Sequence, residues 1–305
     1  MQHLFIQTKT ERSPGVKLHV VAAGPADGPL VILLHGFPEF WYGWRKQIDD
    51  LAAAGYRVWA PDQRGYNLSE KPANVADYRV DKLVEDVIGL IEAAGVEKAF
   101  IVGHDWGALV AWWLAMTHPG RIRRLVILNV PHPSVMARFI ATHPRQTFRS
   151  WYIYFFQVPK LPEWVLRLGN WRALSQMMQR SSRPGTFSDE DMRCYREAWT
   201  QSDRYGMPAF RAMVNWYRAA FGRATLGRAS VQHPSAPPAS RRVTVPTLMI
   251  WGRQDTALVS DMAQPSIERC DQGKLVYLHQ ATHWVQHEEP ARVNALLKEF
   301  LQDER

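Results

Sequence analysis

The segment AFIVGHDWGALVAWW (99–113) reads as strand, sharp turn, helix. Ala99–Val102 is an unbroken apolar run, and Ala108–Thr117 has a helix-like pattern. Between them Gly103 and Gly107 flank Asp105 in the order G-x-D-x-G. That is the pattern of a nucleophile elbow, with aspartate where serine usually stands. The turn demands small neighbours and pushes the central side chain out at the strand's C-terminal end. A helix N-terminus lies beside it, and its dipole favours negative charge. From these residues alone, Asp105 is either a nucleophile or the cap of a helix beginning at Trp106.

Working outward, Val16–Ala22, Val31–Leu34, Arg57–Ala60 and Leu125–Leu128 read as short strands. Trp44–Ala54 and Asp77–Ala94 have helical spacing and end at Gly55 and Gly95. Wholly apolar strands alternating with helices predict a parallel sheet covered on both faces. The pattern changes after Pro131 and Pro133. Residues 134–230 carry helix-like stretches, no clear strand, and 17 of the 35 Phe, Trp and Tyr residues. A loop-like stretch, 230–242, closes that segment. Strand-like text returns at Thr247–Trp251 and Lys274–Leu278, followed by an amphipathic helix over Pro290–Leu301. The predicted architecture is an α/β core, residues 1–130 and 241–305, interrupted by an all-helical cap, residues 131–240, with a site enclosed between them.

Composition bounds the function. The chain has 305 residues, 46% hydrophobic and 22% charged, ordinary globular usage that argues against disorder and fibrous repeats. No stretch approaches the roughly 18 apolar residues of a membrane span, and the first residues lack a signal-peptide pattern. Two cysteines, Cys194 and Cys270, are too few for a disulfide framework. The expected setting is reducing and cytoplasmic. The net charge of +8 is local: residues 131–230 hold 15 Lys+Arg against 6 Asp+Glu, and the rest holds 22 against 23. No dense basic run or nucleic-acid motif accompanies it, so no nucleic-acid partner is expected. The excess is either a solvated arginine-rich surface or a patch facing an acidic partner or membrane surface.

Two more segments carry chemistry. In VILLHGFPEFWYGW (31–44), His35-Gly36-Phe37-Pro38 directly follows a buried strand. In a hydrolase of this plan that loop and the residue after the nucleophile supply oxyanion-hole donors, here the backbone N–H groups of Phe37 and Trp106. Asp255 then follows the strand in LMIWGRQDTAL, and His283 sits in ATHWVQHEEP before the last helix. Nucleophile, acid, histidine is the α/β-hydrolase chain order. His287 is the alternative base.

The sequence resembles the α/β-hydrolase superfamily over nearly its whole length, and specifically its epoxide hydrolase branch. HGFPEFWYGW, DQRGYNLSEKP (62–72), GHDWGA (103–108) and ATHWVQ (281–286) resemble that branch's motifs. WYIYFFQVP (151–159) and VNWYRA (214–219) resemble the cap segments that carry its two catalytic tyrosines, which places these at Tyr152 and Tyr217. The insertion also contains Tyr154, Tyr195 and Tyr205, of which Tyr154 is next in line. Glu39 resembles a position that helps order water, and His104 reads as a structural hydrogen-bonding residue.

The resemblance implies hydrolysis of an epoxide to a vicinal diol. A carboxylate that attacks saturated carbon forms an alkyl ester, which water then cleaves. A strained ether oxygen leaves as an alkoxide and needs a donor, which neutral tyrosines provide. His283, oriented by Asp255, would activate the water. The aromatic-rich insertion suggests a small apolar or aryl epoxide. No metal or cofactor is expected. The alternatives are a haloalkane or haloacid dehalogenase using the same aspartate, and a non-catalytic binding protein on the same scaffold.

Overall fold

The computed structural model describes residues 1–222 and 241–302. Eight strands form one sheet: β1 Gln2–Gln7, β2 Lys17–Ala23, β3 Leu30–Leu34, β4 Arg57–Pro61, β5 Ala99–His104, β6 Ile122–Leu128, β7 Thr247–Gly252 and β8 Gly273–Leu278. Their order is β1-β2-β4-β3-β5-β6-β7-β8. The pairs from β4 through β8 are parallel, while β1–β2 and β2–β4 are antiparallel. β3 and β5, at the centre, are buried along their whole length. That is why Leu30–Leu34 and Ala99–Val102 are unbroken apolar runs.

Two cores flank the sheet. One is built by α2 (Val80–Ala93) and α3 (Trp106–Thr117). The other is built by α1 (Arg45–Ala53) and the C-terminal helix Pro290–Gln302. Six helices lie between β6 and β7 in the described residues: α4 Pro133–Thr142, α5 Pro144–Arg149, α6 Trp151–Phe155, α7 Leu161–Ser181, α8 Asp189–Thr200 and α9 Ala209–Phe221. Hydrogen bonds tie them to the core. Trp199 Nε1 donates to the Pro38 carbonyl at 2.6 Å, and Trp216 Nε1 to the Arg64 carbonyl at 2.9 Å. Buried Gln146 donates to the Ala257 carbonyl and accepts from the Val259 N–H. Each such bond contributes about 1 kcal/mol, and together they fix the helical layer over the strand ends.

Several expectations need correction. β1 was not read as a strand. It is an edge strand of alternating exposure and lacks an apolar run. The helix read over 77–94 begins at Val80, because Arg79 is extended (φ −65°, ψ 147°) and Val75–Tyr78 forms a separate short turn. α7 is broken at Leu168–Trp171, where Gly169, Asn170 and Trp171 take positive φ. Residues 230–240 of the loop-like stretch lie outside the described residues.

Candidate active site

β5 ends at His104, α3 opens at Trp106, and Asp105 makes the whole connection. It does so at φ 48°, ψ −122°, a conformation that costs a non-glycine residue free energy and persists only where surroundings enforce it. The cap alternative fails, because the Asp105 side chain makes no capping bond to α3. Its Oδ1 instead accepts the Phe37 N–H at 2.8 Å. Trp106 is the first residue of α3, so its N–H has no partner within the helix.

Two glycines permit this approach. A Cβ on Gly107 would sit 2.1 Å from the Leu34 carbonyl oxygen, and one on Gly36 would sit 2.2 Å from the Asp105 Cβ. Gly36→Ala is therefore expected to displace Asp105 and to destabilise the protein by about 1–3 kcal/mol. Urea unfolding alongside turnover checks this. Native stability with native turnover would contradict the close packing.

The structure brings Asp255 and His283 to the same strand ends. His283 Nδ1 lies 2.8 Å from Asp255 Oδ2, and its Nε2 lies 3.5 Å from Asp105 Oδ2. The Asp255 carboxylate is held from three further sides: Oδ1 accepts the N–H groups of Ala257 and Leu258, and Oδ2 accepts Asn129 Nδ2 at 2.8 Å. Burial raises the carboxyl pKa of Asp255, but His283 and these donors outweigh it and hold it below the ordinary range. Burial likewise pulls His283 down, yet the two carboxylates prevail and raise it to about 10. With both aspartates ionised, the site favours the protonated form of His283.

Asn129 was missed. It follows β6 at φ 54°, a region Asn tolerates better than most side chains. Its Oδ1 accepts the Gly252 N–H, and its Nδ2 also donates to the Thr282 carbonyl. One side chain thus connects the ends of β6 and β7 with the His283 loop. Nothing local in LNVPHPS announces that role. Asn129→Ala is expected to lower turnover about tenfold by freeing Asp255, with KM nearly unchanged. Equal losses in a pH-insensitive fashion, with loss of fold by circular dichroism, would make Asn129 merely structural.

Glu39 is fully buried and does not contact Asp105. Its carboxylate takes Tyr195 Oη at 2.8 Å, His287 Nε2 at 2.6 Å, His104 Nδ1 at 3.1 Å and Gln286 Nε2 at 3.1 Å. Burial opposes its charge, but His287 and His104 hold its pKa well below the usual range. His104 Nε2 in turn donates to the His283 carbonyl at 2.9 Å, so His104 is the structural bonding residue expected. His287 accepts from Arg45 at Nδ1 and faces Glu39 at Nε2. Both its nitrogens are occupied away from Asp105.

Tyr152, on α6, and Tyr217, on α9, line the same cavity as Asp105 and Trp106. Their rings stand edge to face at 5.9 Å, and Tyr217 packs against Trp106, Phe37 and Phe156. Burial, with Asp105 next, raises both phenols well above their usual pKa, so both are neutral O–H donors at physiological pH. Tyr154 points elsewhere and is half exposed. The cavity holds about 100 Å³, and its other walls, including Leu109, Val130, Met136, Phe221 and Leu258, are apolar.

A family model described as the alpha/beta hydrolase fold matches residues 29–290. The AB hydrolase superfamily protein YfhM of Bacillus subtilis (strain 168) is 46% identical over 95% of this chain and 96% of its own length. Epoxide hydrolase 4 of Mus musculus is 35% identical over 99% of this chain and 80% of its own. Among solved structures, an epoxide hydrolase from Bacillus megaterium superposes with a TM-score of 0.83 at 30% identity, covering 99% of this chain and all of that one. With its mostly parallel eight-stranded sheet and an aspartate at the elbow, the chain belongs to the α/β-hydrolase fold family, in its epoxide hydrolase branch.

Proposed function

We propose that this protein hydrolyses epoxides to vicinal diols through a covalent ester on Asp105. The observation that carries this reading is one carboxylate held between a backbone donor and the His283 ring, facing two phenols across an apolar cavity. A serine at the elbow would suit acyl transfer. A carboxylate suits displacement at saturated carbon.

In the first half-reaction an Asp105 oxygen attacks a ring carbon, and the strained C–O bond breaks. Tyr152 and Tyr217, on the cap formed by the inserted helices, donate to the departing oxygen, which becomes a hydroxyl. The Asp105 charge vanishes in the ester. His283 then has one neighbouring carboxylate instead of two, and its hold on its proton weakens. One phenol passes its proton to the alkoxide and regains one from solvent water, while His283 releases one proton to solvent, so the step balances. In the second half-reaction neutral His283 takes a proton from water, and hydroxide attacks the Asp105 carbonyl carbon. The Phe37 and Trp106 N–H groups stabilise the oxyanion. Its collapse releases the diol, and the cycle closes with His283 protonated and Asp105 ionised.

Asp255 and Asn129 orient His283. Glu39 acts on the water through His104, which supports the His283 carbonyl. The apolar cavity walls favour a small apolar or aryl epoxide. The steps call for water as co-substrate and for no metal, cofactor or nucleic acid. Unpaired Cys194 and Cys270 suit a reducing, cytoplasmic compartment.

Repeated single turnovers in heavy-oxygen water test the ester. Label is expected in the peptide that carries Asp105, and the first diol formed should be unlabelled. Label in that first diol, with none in the protein, would overturn the mechanism.

A further inference from the structure

We infer that the outer face of α5–α7 is a docking surface for an anionic lipid membrane. Large apolar side chains there are exposed that a water-facing surface would ordinarily avoid. Phe148 is 80% exposed, Trp151 60%, Tyr154 52% and Trp164 64%, and Leu161 at the start of α7 and Leu168 at its break are exposed as well. Most of the large exposed hydrophobic residues in the described chain fall within this short stretch. Concentrations of this kind mark interaction sites. Trp and Tyr suit the headgroup region, having an apolar body and a polar edge.

Charge selects the occupant. Residues 131–168 contain five Lys and Arg against a single acid, Glu163. Glu163 is engaged by Arg218 at 2.6 Å. Arg138, Arg145, Lys160 and Arg167 are exposed and make no ion pair among the described residues. A second copy of the chain would set this positive face against itself. An anionic bilayer complements it, each basic side chain near such a surface adding attraction. Nearly half of the local basic excess in the sequence, +4 of the +9 over 131–230, lies on this stretch.

The face also adjoins the catalytic cavity. A second cavity, of about 140 Å³, is walled by Ile140, Ile153, Tyr154 and Phe221, with Thr147, Ser150 and Gln157 as its polar side. Ile153 and Phe221 are shared with the Asp105 cavity, and Tyr154 belongs to the exposed face. The shared walls make the two cavities neighbours, so an apolar molecule leaving the bilayer at this face would enter beside the Asp105 cavity. This last point rests on the proposed chemistry, whereas the docking does not.

Sedimentation with vesicles of phosphatidylcholine, alone or mixed with phosphatidylglycerol, tests the surface. The full chain is expected to bind the mixed vesicles and to release as salt rises. The double variant Phe148→Ser/Trp164→Ser should bind at least tenfold more weakly. Arg145→Gln and Lys160→Gln should each cost about fivefold on the mixed vesicles alone. All these positions are exposed, and turnover of a water-soluble epoxide should be unchanged in each variant, which separates docking from chemistry. Absence of binding to mixed vesicles would overturn the inference. So would binding that survives the aromatic replacements, or an analytical-ultracentrifugation dimer that the same replacements dissolve.

Discussion

His283→Gln is expected to consume about one equivalent of epoxide per site and then stop as the Asp105 ester. Glutamine keeps a polar side chain beside Asp255 but takes up no proton from water. Steady-state turnover should fall by on the order of 100- to 10,000-fold, the usual contribution of a positioned base. The first half-reaction should be spared by comparison, because its donors are on the cap. Rapid quench with mass spectrometry of the intact protein measures the trapped ester. Asp255→Asn should slow the same step, since it removes the charge that holds up His283 while the backbone bonds at that side chain can persist. The sign of the pH dependence also follows. Two carboxylates raise His283 to about 10 in the free site, and ester formation removes one of them. Ester decay in the native protein should therefore rise with pH, as neutral His283 accumulates, through an apparent pKa below that value. Decay that slows as pH rises, or an unchanged steady state in His283→Gln, would mean that His283 is not the base. His287 offers no ready replacement, since both its ring nitrogens are bound.

The central fold was legible because the strands that carry the site are buried on both faces. β3, β5, β6 and β7 each carry a short apolar run, and each is followed within a few positions by a residue of the candidate site. The elbow was legible for a steric reason, since only glycine fits at positions 36 and 107. Outside that frame the sequence was less informative. β1 is an edge strand whose pattern depends on one neighbour. Arg79 breaks a helix that its apolar spacing would have continued. Asn129 works through contacts to residues more than a hundred positions away, and no local pattern encodes such contacts. Glu39 stands next to a recognisable motif, but its partners come from β5, α8 and the His283 loop. Tyr152 and Tyr154 show the limit most directly. They share a short helix and a similar local sequence, yet one faces Asp105 and the other solvent, and packing against Tyr217 and Phe156 distinguishes them.

Those tyrosines carry the second large expected effect. Tyr152→Phe and Tyr217→Phe each remove one donor while keeping the ring that packs the cavity. Stability should change little, because the rings that pack the cavity stay in place and only the contact of the Tyr217 hydroxyl with the Trp106 side chain is given up. The donors oppose charge that develops only as the ring opens, so their loss should lower the alkylation rate more than it weakens substrate binding. One surviving phenol can partly cover for the other, and each single variant should lose about tenfold. The double variant should lose on the order of a thousandfold or more, as when oxyanion donors are removed elsewhere. Decay of ester already formed should be much less affected, since the proposed mechanism assigns that step to His283. Pre-steady-state ester formation, by rapid quench for both singles and the double, gives the measurement. An epoxide leaves as an alkoxide that must be stabilised and protonated, whereas halide leaves as a stable anion. Undiminished alkylation in the double variant would therefore exclude an epoxide oxygen gripped by Tyr152 and Tyr217, and would point to a halide leaving group at the same Asp105.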